Sequence, residues 1–259
     1  MRVFVDAVGI LAPGLPQWEG TQPVLAGTQP FIATALPPFA PASLQPAERR
    51  RSSPTVRLAL AAAEMALQQT AIAAADMAMV FSSYEAAGVI THQLCEVLAG
   101  SREVSPTQFH NSVHNAPSGY YSIAMGAKLS ASSVCRGEWS FAAGLLNAAA
   151  QSLADGVAVI YLCYDSPLPA PICEVMPVVE ATAIALVLTP AATAQSLAAW
   201  DIDVVPGEQP LSWPGWMPAT WHANASARGF APLATLGRDG PRVATAPLSP
   251  ELDLRVTRC

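Results

Sequence analysis

The 259-residue chain holds a single lysine, Lys128, and charged residues make up only 12% of it, about half the usual share. With a net charge of −6, it lacks the Lys and Arg needed to neutralise phosphates, which argues against a nucleic-acid binder. It also lacks the apolar run of ~18–20 residues that a membrane span needs; Arg57, Glu64, Gln68 and Asp76 interrupt the longest candidate. At the start, MRVFVDAVGILAP places Asp6 where a signal peptide is apolar, so a cytoplasmic location is expected. Cysteine pairs are missing as well. Cys95, Cys135, Cys163, Cys173 and Cys259 form no CxxC and no regular spacing, against both a disulfide framework and a zinc site. No metal or cofactor is expected. Apolar neighbours mark Cys163 as a buried small hydrophobe.

Apolar residues account for 52% of the chain. So uncharged a globule exposes much surface suited to another subunit; an Ala-rich, Lys-poor composition bias is the plainer reading. The length allows one large domain with its own core.

Taken in order, residues 2–10 read as a strand with Val3 and Val5 on one face. A Pro-rich run follows to Pro46, read as a surface arm, and Glu48-Arg49-Arg50-Arg51 ends it. Ser53-Pro54 signals a helix start, and residues 54–73 are helix-forming. The run 77–81 is apolar without alternation, as in a strand buried on both faces. Helices are expected at 86–99, 115–128, 139–154 and 191–199, and strands at 130–135, 157–164, 180–189 and 202–205. Repeated strand–helix order implies a parallel α/β sheet. Helix 139–154 is small on nearly every side, which suits a central layer between two sheets. Residues 206–241 read as irregular, with a closing hairpin of 242–246 and 252–257.

Three stretches carry a resemblance: VDAVGILAPGLPQWEG, FHNSVHNAPSGYYSIA and SFAAGLLNAAAQ. With them the chain resembles the N-terminal half of a β-ketoacyl synthase of the thiolase fold. More narrowly, it is similar to the short synthase-like chain length factors of aryl polyene and xanthomonadin-type pigment systems. The resemblance implies an α/β thiolase-like half-fold. Its sheet is expected to be mixed, mostly parallel and five-stranded, with helices on both faces. Residues 1–205 would form this domain, and 206–259 an extension packed on it. It further implies pairing with a β-ketoacyl-ACP synthase as a heterodimer, with acyl carrier protein delivering substrate to the complex.

Counted back from the glycine before the next strand, here Gly156, the synthase nucleophile's place falls on Trp139. The nearest thiol, Cys135, lies four residues earlier, where helix N–H groups do not lower its pKa. After Trp139 the only histidine is His222, in a context unlike the two histidine motifs of condensing enzymes. Without nucleophile and base no acyl-enzyme step runs. The implication is a non-catalytic subunit. Aromatic-polyketide length factors place glutamine after glutamate at this point; the chain keeps Glu138 but has Trp139, leaving a decarboxylating role in doubt.

His110, Asn111, His114 and Asn115 either hydrogen-bond a thioester or pantetheine arm, or cap the next helix and satisfy a buried loop. The resemblance places Phe109, Val113, His114, Asn115, Tyr120, Tyr121 and Trp139 near the subunit interface and acyl tunnel, as gate or as ordinary packing. Arg49–Arg51 either dock an acidic carrier or form a solvated loop. Trp213, Trp216 and Trp221 form a ligand platform or pin the tail to the core. Tyr84-Glu85 follows a strand end, where α/β sheets place ligands. Two rivals remain: an acyltransferase or hydrolase using Cys135 or Cys95 with His114 or His92, and a homodimeric acyl-binding scaffold.

Overall fold

The computed structural model describes residues 1–15, 17–85, 87–207, 213–237 and 239–259. Within them β1 (Arg2–Leu11), β2 (Met77–Ser83), β3 (Ala131–Cys135) and β4 (Ala158–Asp165) are followed by β5 (Thr182–Thr189), β6 (Ala198–Pro206), β7 (Val243–Pro247) and β8 (Leu252–Arg258). Helices α1 (Trp18–Leu25), α2 (Pro46–Arg51), α3 (Pro54–Leu67), α4 (Gly88–Ala99) and α5 (Pro106–Asn111) precede α6 (Ala116–Met125), α7 (Ser140–Asp155), α8 (Ile172–Val175) and α9 (Phe230–Ala234). All strands join one eight-stranded sheet of order β3-β2-β4-β5-β1-β6-β8-β7. The continuous apolar runs of β2, β4 and β5 are buried along their whole length, as strands covered on both faces must be.

One face packs against α7, α1 and residues 217–236, with Phe141, Leu145, Trp200, Trp221 and Phe230 in that core. The other packs against α3 and α6, with Leu60, Phe81 and Tyr121. Helix α3 starts where its cap signal lies: the Ser53 hydroxyl accepts from Val56 N at 3.1 Å, and Pro54 follows. It ends at Leu67 rather than at 73. Just beyond it the Gln69 amide donates to Met65 O at 2.8 Å and to Val8 O at 2.7 Å, so the side chain ties the helix end to β1.

The expected five-stranded, mostly parallel sheet is corrected on both counts. Only β3–β2 and β2–β4 pair in parallel; every other pairing is antiparallel. Parallel neighbours need a long crossover. Only the connections holding α4–α6 and α7 supply one, while β4 reaches β5 through a segment with a single four-residue helix. The closing hairpin adds β7 and β8 to the same sheet through β6.

The helix expected at 191–199 is absent. That segment is a loop, and β6 starts at Ala198. Its hydroxyls are committed to buried Asp6, which accepts from Thr193 Oγ1 at 2.6 Å and Ser196 Oγ at 2.7 Å beside a register shift in β1. The arm expected to lack regular structure contains α1 and α2, and the expected irregular segment 206–241 contains α9. Of that segment, 208–212 and Arg238 lie outside the described residues, as does Ala86, the expected first residue of the helix now bounded as α4. Helix α7 is not sandwiched between two sheets. One side meets β2 and β4, and the chain's own segment around Phe230 covers part of the other.

Candidate functional site

The turn between β3 and α7 is closed by Ser140, whose hydroxyl donates to Gly137 O and accepts from Arg136 N, both at 2.7 Å. Gly137 takes φ +58°, a left-handed conformation that costs a glycine little. Trp139 therefore lands at the N-cap of α7, its carbonyl accepting from Ala143 N at 3.1 Å. A helix N-terminus suits an anionic nucleophile, but an indole supplies none. Cys135 sits at the end of β3, paired in register with Ser83. Its thiol donates to Tyr84 O at 3.0 Å. Burial of the sulfur pushes its pKa up, with Glu85 and Asp165 adding to the rise and the Gly137 N–H opposing it. The thiolate is disfavoured there.

Glu138 meets a residue that sequence reasoning missed. Arg228 Nη2 reaches Glu138 Oε2 at 2.5 Å, with the arginine side chain 5% exposed and the glutamate 46%. Burial lowers the guanidinium's pKa and Glu138 opposes the shift. Arg228 lies 4.6 Å over the Trp213 ring, and Trp213 stacks on His222 at 4.3 Å and 3°. The available signal was position: Arg228 is the only charged residue between Glu208 and Arg238. Trp216 and Trp221 pack edge-on to one another and against Phe31 and Phe230, so both pin the tail to the core.

Beside this turn lies an open cleft of about 570 Å³, lined by Tyr84, Glu138, Pro177, Val179, Ala219, Thr220, His222 and Ala223. A second unanticipated group lies nearby. Buried Asp165 accepts from Tyr84 N at 2.8 Å and from Ser226 N and Oγ at 2.7 and 2.6 Å; Ser226 also contacts Thr182, which accepts from Asn224 Nδ2 at 2.8 Å. Burial raises the Asp165 pKa against these hydrogen bonds. Glu85 is likewise raised by burial, although its carboxylate accepts from Ala87 N at 3.0 Å.

The residues expected near an interface gather elsewhere. Val113, Asn115, Tyr120 and His110 line a groove of about 490 Å³ between α2, α5 and α6, together with Arg51 and Ile123. Phe109 is 64% exposed and Ile123 74%. Asn115 holds the N-cap position of α6, yet its side chain makes no capping bond. Instead its carbonyl accepts from Gly119 N and Ser118 Oγ. Asn111 Nδ2 donates to Arg51 O and Thr107 O at 2.9 Å, fastening α5 to α2. His114 has its pKa lowered by desolvation, and His110 meets Tyr120 edge-on. Tyr121 faces the other way. It is fully buried against Phe81 and borders no surface, which corrects its assignment to an interface or gate.

Arg49, Arg50 and Arg57 line a separate groove with Phe39, and Arg49 also donates to Leu44 O at 3.0 Å. His92 pairs with Glu96 at 3.4 Å. Among the described residues neither Cys135 nor Cys95 hydrogen-bonds a histidine, and no group of three His, Cys, Asp or Glu is placed to hold a metal. No helix is long and apolar enough to cross a membrane.

The architecture, one sheet with helices on both faces and a sharp turn into α7, is the mixed α/β thiolase-like fold. Residues 18–212 match the family model for the β-ketoacyl synthase N-terminal domain. The chain belongs to that family. A comparison with curated proteins finds no match. Among solved structures it resembles a chain of the ketosynthase ApeO in complex with its chain length factor ApeC from Xenorhabdus doucetiae, with TM-score 0.75, 21% identity and all of both chains covered. A β-ketoacyl synthase from Burkholderia phymatum gives TM-score 0.63 at 15% identity over 82% of this chain and 66% of that one. The ishigamide ketosynthase/chain length factor gives 0.58 at 12% over 80% and 68%.

Proposed function

We propose that this chain is a non-catalytic chain length factor that pairs with a β-ketoacyl-ACP synthase and shapes its acyl tunnel, in an aryl polyene type of pathway. The observation that carries the reading is Trp139 at the N-terminus of α7, with the nearest thiol four residues away and held protonated against Tyr84 O. A chain so built has no nucleophile where the family's chemistry begins. The partner supplies cysteine and histidines, and acyl carrier protein delivers the acyl groups to the complex.

The groove at α5 and α6 and the free edge of β3 form the pairing surface in this reading. β3 lies at the end of the sheet, so its outer backbone groups await a partner strand, and exposed Phe109, Val113 and Ile123 supply apolar area beside it. Phe109, Val113 and Tyr120 bound the acyl chain by size, with His114 and Asn115 beside them. Replacing Phe109 by Ala in the reconstituted complex should lengthen the polyene product, read by mass spectrometry. An unchanged product length would remove Phe109 from the gate.

A further inference from the structure

We infer that the cleft beside the α7 turn binds a small, uncharged hydroxyaryl molecule. The site lies at the carboxyl ends of the parallel strands β2 and β4, the place where open α/β sheets take ligands. Its volume of about 570 Å³ falls in the range of small-molecule sites. Pro177, Val179, Ala219 and Ala223 give it apolar walls, and Tyr84, Glu138, Thr220 and His222 bring polar groups into the same space.

Charge and shape then narrow the ligand. Glu138 places Oε2 on the Arg228 guanidinium, so the only carboxylate lining the cleft is already neutralised by a cation. A charged ligand gains little there, whereas a hydroxyl can donate to the glutamate. His222 lies parallel to Trp213, which itself lies beneath Arg228. That is a built stack of flat groups whose imidazole lines the cleft, and a planar ring extends it more readily than an aliphatic chain. The wall is pre-ordered. Trp221 is buried, and Asn224 Nδ2 is bonded to Glu180 O and Thr182 Oγ1, each at 2.8 Å. The turn from 219 to 224 is therefore fixed before any ligand arrives, which keeps the ordering cost of binding low. With indole and not thiol at the α7 N-terminus, the ligand is held and not transformed.

This site goes beyond the pairing reading and does not depend on it, since the chain itself supplies every lining residue. The test is titration of the full chain with 4-hydroxybenzamide and with benzamide, followed by tryptophan fluorescence and saturation-transfer NMR. Saturable one-to-one binding of the hydroxylated probe is expected, with benzamide about tenfold weaker for loss of a hydrogen bond to a charged group. Thr220→Trp, which fills the cleft from an exposed position, and His222→Ala should each abolish or sharply weaken binding with unchanged far-UV circular dichroism. Absence of saturable binding, equal affinity for the two probes, or binding that survives both variants would overturn the inference, whatever the outcome of any pairing experiment.

Discussion

Cys135 is the residue on which an enzyme reading has to rest, and its surroundings work against it. The thiol donates to a carbonyl and its pKa is raised by burial. Iodoacetamide should therefore label it slowly at pH 7 and speed up only well above the ordinary thiol range. Fast labelling at neutral pH, lost in Cys135→Ala, would contradict this. Asp165 gives a second residue-scale prediction. Its folded pKa lies above the unfolded value, so the folded state holds the proton more tightly. The stability this contributes is present at acid pH and is lost as pH rises through the folded pKa. The stability of the wild type relative to Asp165→Asn, from chemical denaturation, should fall from about pH 4 upward. A rise with pH would refute it. Glu138→Ala leaves buried Arg228 without its anion and should cost about 1–2 kcal/mol, reduced from the fully buried case by the exposure of Glu138.

At the level of elements, α7 depends on a close approach to the sheet. A Cβ on Gly144 would lie 2.6 Å from the Tyr161 ring and 2.8 Å from Ser82 Oγ. Gly144→Ala should therefore destabilise the protein by about 1–3 kcal/mol through overpacking, despite alanine's better helix propensity; a rise in melting temperature would show that the helix can shift. The strands that pack on both faces were legible, because β2, β4 and β5 are uninterrupted apolar runs. So were the start of α3 at Ser53-Pro54 and the turn that leaves Trp139 at the head of α7. Sheet direction was not legible. Strand–helix alternation looks the same whether a connection crosses over or turns back, and only the full register shows β1 antiparallel to both β5 and β6. The loop around Asp6 and the Arg228–Glu138 pair join residues 187 and 90 positions apart, and no local pattern reports such a contact.

On the scale of the whole molecule, the sheet has a free edge at β3 beside an apolar groove, while α7 and the tail close the place where the family's chemistry starts. Ile123→Glu and Val113→Glu, both at exposed positions, should leave the fold intact and prevent co-purification with a synthase partner; retained pairing would move the interface elsewhere. The most direct measurement is co-expression with a full-length ketosynthase from the same source. It is followed by size-exclusion chromatography and by intact mass after incubation with an acyl-carrier thioester. The account predicts a one-to-one complex in which only the partner carries the acyl adduct. An adduct on this chain, abolished by Cys135→Ala, would contradict it and make this chain an enzyme.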